Sequence, residues 1–107
     1  MRIQAYGCIP ADHPSLAGHF PGNPVVPGVL LLNHLLSVIE DHWHLEPGAV
    51  SWSAVKFMAL LRPDEPFAMT MQSTDGQRIT FSISHGDTAI ASGSLRHHAP
   101  IVASVES

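Results

Sequence analysis

The pattern of apolar and polar residues divides the chain into a short strand, a helix and a group of further strands. Alternating apolar positions predict a strand over residues 2–9, which Pro10 ends. Over residues 29–43 the apolar residues recur at helical spacing. Alternation then returns in four segments separated by turn residues, which we predict to be strands over 50–61, 67–73, 78–84 and 88–97.

The predicted helix has a wide apolar face and a polar face, taking 100° of rotation for each residue. Asn33 and Ser37 lie on the polar face. Val29 and Leu30 also point in this polar direction, so the first turn is apolar all round. We therefore expect the helix to enter the core at its N-terminal end and to emerge at its C-terminal end, with Pro47 and Gly48 closing the segment. The apolar face contains Leu31, Leu32, Leu35, Leu36, Val38, Ile39 and Trp43.

This order of elements predicts an α+β fold in which one helix packs on an antiparallel sheet. The sequence shows no internal repeat and no composition shift that would mark a second domain. We expect one domain over residues 1–98 and a loosely held C-terminal tail over 99–107.

Charge and cysteine content narrow the class of protein. The 107 residues include only five Lys and Arg, and the net charge is -4, so we expect no nucleic-acid ligand. The sequence contains no basic amphipathic helix and no apolar run long enough to span a bilayer, so we expect no contact with a membrane. Cys8 is the single cysteine and lies in the apolar first strand, where we expect it in the core. With no secretory signal at the N-terminus, we expect a cytoplasmic protein.

The eight histidines do not predict a metal site. His42 and His44 are two residues apart on a helix, and His97 and His98 are adjacent in a strand, so neither pair converges. No cysteine cluster or spaced acidic ligand joins them. We expect neither a metal nor another cofactor.

The candidate chemistry lies in residues 18–33, GHFPGNPVVPGVLLLN. Pro21, Pro24 and Pro27 restrict the backbone after His19, so the imidazole is held with little loss of entropy. Gly28 opens an apolar helix, and its backbone N–H has no partner within that helix. A helix N-terminus beside a neutral imidazole can polarise a carbonyl oxygen while a base removes a proton.

The motif HFPGxPxxPGVL, residues 19–30, resembles the signature of the bacterial 3-hydroxyacyl-acyl-carrier-protein dehydratases, which have the hotdog fold. ADHP at residues 11–14 and VKF at 55–57, which leads to LRPD at 61–64, are also similar to that family. The resemblance covers about residues 3–96. It implies a curved antiparallel sheet of about five strands wrapped around one long central helix. It also implies a dimer or higher oligomer with active sites between two protomers.

The resemblance further implies a role for individual residues. His19 matches the catalytic histidine that handles the α-proton of a 3-hydroxyacyl thioester, and Gly28 matches the glycine whose N–H binds the thioester carbonyl. We assign substrate binding to Phe20, Pro27, Val29 and Phe57. The substrate would be a thioester of acyl carrier protein or of coenzyme A, in lipid, polyketide or polyene synthesis.

Asn33 departs from the family pattern. The family carries Glu or Asp here, which assists departure of the β-hydroxyl, whereas an amide cannot exchange a proton at neutral pH. Asn33 can orient the substrate while His19 performs both proton transfers, or a different hotdog subunit can supply the carboxylate in a heterodimer. The alternatives outside dehydration are an acyl thioesterase and a non-catalytic acyl-binding subunit. On helical phase alone, Asn33 simply continues a polar stripe.

Overall fold

The computed structural model describes residues 2–13, 25–43, 50–73 and 77–97. Their elements follow the predicted order of strand, helix and four strands. His19, Phe20, His44, Pro47, Gly48 and the tail over 99–107 lie outside the described residues. The elements are β1 Arg2–Gly7, α1 Gly28–Trp43, β2 Val50–Phe57, β3 Phe67–Ser73, β4 Arg78–His85 and β5 Thr88–His97.

The five strands form one sheet in the order β1-β3-β4-β5-β2. Every neighbouring pair is antiparallel. β1 and β2, the strands on either side of α1 in the chain, therefore lie at opposite edges of the sheet. This arrangement confirms the α+β prediction of an antiparallel sheet with one helix. No helix in the described segments combines the length and apolar character that crossing a membrane requires.

The helix packs on the sheet through a single narrow stripe. Leu31, Leu35, Ile39 and Trp43 are at most 2% exposed and follow one another at four-residue spacing. The predicted face was too wide, because Leu32, Leu36 and Val38 are only half-buried along its sides. The prediction for the first turn was wrong as well, because Val29 is 66% exposed in the single chain.

The core lies between this stripe and the inner face of the sheet. Alternate residues of the strands point towards α1, as the two-residue period of a strand requires. Met69 and Met71 are completely buried, so they serve packing. Cys8 is exposed, which corrects its expected place in the core: β1 ends at Gly7, so Cys8 lies beyond the sheet. The inner face of β3, β4 and β5 contains Phe67, Met69, Met71, Ile79, Phe81, Ile83, Ala91 and Leu95.

The edge strand β2 carries a bulge in its second half. The register with β5 shifts between Ser53 and Lys56, and Ala54 has a φ of 55°, in the left-handed region. Gly93 of β5 lies beneath the bulge, where an added Cβ would be 2.9 Å from the Val55 Cα. A bulge bends its strand, so a glycine at this point allows β2 to fold closely over β5.

β2 ends earlier than the sequence predicted, at Phe57 instead of residue 61. The apolar run does continue to Leu61, and exposure still changes from one residue to the next, since Leu60 is 75% exposed and Leu61 is 1% exposed. The N–H groups of Met58 and Ala59 still donate to the Ile90 carbonyl of β5, at 2.8 and 3.4 Å, but the Leu61 carbonyl accepts a hydrogen bond from the Val26 N–H at 2.7 Å, outside the sheet. Residues 58–66 therefore form a connector between β2 and β3, and this connector borders the site described next.

Candidate functional site

The N-terminal end of α1 presents two backbone N–H donors. The Pro27 carbonyl accepts hydrogen bonds from the N–H groups of Leu30, at 3.0 Å, and Leu31, at 3.4 Å. Pro27 is therefore the N-cap residue of α1. Among the described residues, no acceptor faces the N–H groups of Gly28 and Val29. The first turn also contains no acidic side chain. The positive end of the helix dipole is therefore available to an oxygen atom of a ligand.

The ring of Phe57 packs directly on Gly28. A Cβ added to Gly28 would lie 2.6 Å from Cζ of Phe57 and 2.9 Å from Cε1, closer than side chains approach one another. Glycine is thus required at the first position of α1 for the ring to reach the backbone. This contact joins the C-terminal end of β2 to the N-terminal end of the helix.

An apolar cleft of about 340 Å³ opens beside this contact. Its walls come from the segment before α1, the first turns of the helix and the connector after β2. A cleft of this size and apolar character suits an alkyl chain, with the helix N-terminus placed to hold a polar head group. The lining residues are Val25, Val26, Pro27, Gly28, Leu31, Phe57, Ala59, Leu60 and Leu61.

The structure places the predicted site residues in two groups. Pro27, Gly28 and Phe57 line the cleft together. Val29 and Asn33 lie on the exposed side of α1 and do not line it. Asn33 is one helical turn beyond Val29, on the ridge opposite the buried stripe. In a single chain its amide therefore faces outward, away from the core.

His34, which lies next to Asn33, is turned to the other side of the molecule. Its ring makes an edge contact with Phe67, with centroids 5.5 Å apart. Its Nε2 would be 2.7 Å from a Cβ added to Gly7 of β1. The side chain is therefore used in packing α1 against β1 and β3, which removes it from the set of residues near the cleft.

Both described ends of the segment that contains His19 are attached to the connector over residues 58–66. Before the segment, the Asp64 N–H donates to the Ile9 carbonyl at 2.8 Å, and the Ala11 N–H donates to Asp64 Oδ1 at 3.2 Å. After it, the Val26 N–H donates to the Leu61 carbonyl. The described residues on either side of positions 14–24 therefore both hydrogen-bond to the connector, whose residues Ala59, Leu60 and Leu61 line the cleft. His19 and Phe20 themselves stay predictions.

We expect Asp64→Ala to lower the free energy of unfolding by about 1–2 kcal/mol. The substitution removes the hydrogen bond to Ala11 and leaves alanine at a φ of 68°, where aspartate is tolerated better. Asp64→Asn keeps the acceptor oxygen and the tolerance of a positive φ, and it serves as the control. Urea unfolding of both variants measures the difference, and equal losses would contradict the role given to the side chain.

The sequence missed several residues that line the cleft, in particular Leu60 and Leu61. Their signal was present, because residues 58–61 form an uninterrupted apolar run that extends the predicted strand almost to Pro63. The same run fits a connector that borders a cleft, and the hydrogen bond between the Leu61 carbonyl and the Val26 N–H shows that these residues form the connector. Among the described residues, no group of three or more His, Cys, Asp and Glu is arranged to hold a metal ion.

Solved structures with the same fold include two relevant proteins. The dehydratase heterocomplex ApeI:P from Xenorhabdus doucetiae matches with a TM-score of 0.72 and 21% identity, over 89% of this chain and 85% of that one. The fluoroacetyl-CoA-specific thioesterase FlK matches with a TM-score of 0.63 and 18% identity, over 96% of this chain and 93% of that one. At these identities the likeness shows the fold, and it confirms the hotdog architecture.

The sequence matches are to dehydratases. The 3-hydroxyacyl-[acyl-carrier-protein] dehydratase FabZ of Verminephrobacter eiseniae is 32% identical over 89 residues, which are 83% of this chain and 51% of that protein. The FabZ of Thermus thermophilus is 29% identical over 94 residues, which are 88% of this chain and 56% of that protein. The chain thus spans about half the length of these curated relatives. The family model described as ApeI-like, ApeI dehydratase, matches residues 1–94. The chain therefore belongs to the ApeI-like dehydratase family.

Proposed function

We propose that this chain is a dehydratase subunit that binds 3-hydroxyacyl thioesters and removes water from them. The observation that carries the proposal is the pair of available N–H groups at the start of α1, placed at the edge of an apolar cleft. The membership of the chain in a dehydratase family gives the reaction class. The names of the FabZ relatives suggest an acyl carrier protein as the thioester carrier, and coenzyme A remains the alternative.

Carbonyl polarisation would come from Gly28. A thioester oxygen that accepts a hydrogen bond from its N–H lies at the positive end of α1, which stabilises the negative charge that develops when the α-proton leaves. The acyl chain would then extend along the cleft between Phe57 and Leu31. This arrangement uses the backbone for charge and the side chains for the apolar part of the substrate.

Proton abstraction is proposed for His19. A neutral imidazole is the side chain whose pKa suits general base work near neutral pH. The attachment of both described ends of its segment to the connector beside the cleft supports this role. The abstracted proton comes from the α-carbon, and the β-hydroxyl must then leave as water.

Departure of the hydroxyl needs a proton donor. Asn33 cannot act as this donor, because an amide does not exchange a proton at neutral pH. Asn33 is also exposed on the single chain, where it is accessible to another subunit. We therefore propose that full activity requires a second hotdog subunit that contributes a carboxylate. The relative ApeI:P is a heterocomplex, which supports this pairing. A homodimer, with Asn33 orienting the hydroxyl, would be a slow enzyme.

A thioesterase is the second candidate function, because FlK shares the fold. The two reactions give different products from a 3-hydroxyacyl thioester. We expect mass spectrometry to show loss of water and an intact thioester, with no free thiol detected by a thiol reagent. The His19→Ala variant is the control and should form no enoyl product. Release of free thiol by the wild-type chain, without dehydration, would contradict the proposal and favour the thioesterase.

A further inference from the structure

The edge strand β2 presents its two aromatic residues, Trp52 and Phe57, on the same face of the sheet. Trp52 faces the core, where its ring makes an edge contact with Phe81, with centroids 5.8 Å apart. Phe57 lies opposite the buried Ala91, and its ring packs on Gly28 of α1. The two aromatic residues are five positions apart, whereas residues on one face of a regular strand are separated by an even number. β2 therefore changes face between them.

The bulge of β2 supplies this change of face. Ala54 and Val55 together lie opposite a single residue of β5, Gly93. The bulge thereby takes up one extra residue of β2, and the alternation of inward and outward side chains restarts after it. With the same sequence and regular pairing, Lys56 would lie where Phe57 lies, and Phe57 would point to the outer face, which is turned away from α1.

The choice between these two side chains matters for the N-terminal end of α1. The ring of Phe57 forms a wall of the cleft and packs on Gly28. A lysine in this place would bring an ammonium group to the positive end of the helix dipole and would put a charge on an apolar wall, and both are unfavourable. In the observed register Lys56 is exposed and lies opposite Ser92. The described lining of the cleft therefore contains no charged residue.

Two features of the backbone define the bulge. Gly93 leaves room for it, because an added Cβ would be 2.9 Å from the Val55 Cα and 3.2 Å from the Ala54 carbonyl oxygen. Ala54 has a φ of 55°, a conformation that costs free energy for a residue with a Cβ. Strained residues persist where the surrounding structure requires them, and they are frequent at functional sites. Regular pairing would relieve the strain at Ala54 but would lose the contact of Phe57 with the helix.

We propose that this bulge is the positioning device of the cleft: it places the Phe57 ring on Gly28 and turns Lys56 outward. Ala54 and Gly93 are positioning residues, because they act on the cleft through Phe57. The placement of the ring follows from strand register alone. Its effect on the binding of acyl chains rests on the proposed function.

The NMR spectrum of Gly28 reports the placement without a ligand. The ring current of Phe57 shifts the α-protons of Gly28, and Phe57→Leu gives their chemical shift without the ring. We expect Gly93→Ala to lose most of the ring-current shift, because its Cβ displaces the bulged backbone. Deleting Ala54 from the Gly93→Ala chain removes the extra residue, so regular pairing then returns Phe57 to the inner face. That chain should recover the shift.

Ala54→Gly is the control, because glycine adopts a positive φ without strain and should keep both the bulge and the Gly28 shift. An unchanged Gly28 shift in Gly93→Ala would overturn the proposal. A loss that deletion of Ala54 does not restore would also overturn it, provided that circular dichroism still shows the sheet. If Gly93→Ala does not fold, deletion of Ala54 from the wild-type chain decides: the contact should persist, and its loss in a folded chain would contradict the register argument.

Calorimetric titration with octanoyl-pantetheine measures the effect on the cleft. We expect Phe57→Lys to raise the Kd of this thioester about tenfold or more, because it puts an ammonium group on the apolar wall. Lys56→Ala should leave the Kd nearly unchanged, because Lys56 faces away from the cleft. Equal effects of the two substitutions would overturn the assignment of faces. A wild-type chain that does not bind the thioester, while the Gly28 shift follows the register, would support the positioning and contradict the proposed function.

Discussion

Replacing Asn33 with glutamate is expected to raise the rate of enoyl-thioester hydration by about 10²–10⁴-fold. Hydration is the reverse of dehydration, so it needs the same acid and base. Asn33 occupies the position where the family resemblance implies a carboxylate, and an amide there cannot exchange the proton. The variant should fold, because Asn33 is exposed and glutamate favours a helix more than asparagine does. The hydration rate is measured as the loss of absorbance of the enoyl thioester.

Asn33→Gln is the matched control, since it has the length of glutamate without the exchangeable proton. It should stay at the wild-type rate. His19→Ala, introduced into the Asn33→Glu chain, should remove the gained activity, because the base is then missing. Equal rates for the glutamate and glutamine variants would contradict the idea that a proton donor is what this chain lacks.

Removing the Gly28 N–H is expected to lower kcat by about 10²–10³-fold, the usual effect of losing one donor to a developing oxyanion. Proline fits the first position of a helix, where its missing N–H breaks no intrahelical hydrogen bond. Its Cβ, however, would collide with the Phe57 ring, which lies 2.6 Å from the Cβ position. The substitution is therefore made in a Phe57→Leu chain, which makes room at this point.

The comparison is between Gly28→Pro and Gly28→Ala, both in the Phe57→Leu chain. Both variants add a Cβ, and only proline removes the donor. We expect the alanine variant to keep most of the activity of the Phe57→Leu chain and the proline variant to lose it, with circular dichroism confirming the helix in both. The Asn33→Glu substitution can be added to all three chains to raise the signal. Equal kcat values for proline and alanine would contradict the role of the N–H.

The secondary structure was largely predictable because local patterns determine it. The start of α1 at Gly28 follows from Pro27, and the strands β3, β4 and β5 follow from apolar alternation between turn residues. Helical phase alone did not give the correct burial. Leu32 is apolar yet only half-buried, and Val29 is apolar yet exposed, because one sheet covers only one narrow stripe of a helix.

Predicting the end of β2 failed for a different reason. The residues after Phe57 continue the apolar run, and the N–H groups of Met58 and Ala59 still donate to Ile90 of β5, but the Leu61 carbonyl accepts from Val26 in the segment before α1. A backbone partner distant in sequence is not encoded in the local pattern. The same limit applies to the Phe57 ring on Gly28 and to Arg96 opposite Arg78, since each pair is separated by many residues.

By itself, the sequence determined the order of the elements, the α+β class, the position of the helix N-terminus at Gly28 and the amide at residue 33. These properties depend on periodicity, on proline and glycine, and on the identity of single side chains. Only the tertiary structure decided which of the residues named in advance line one cleft, and that Asn33 and Val29 face outward. Strand register and the packing of α1 determine where these residues lie, and both arise from contacts between residues far apart in the chain.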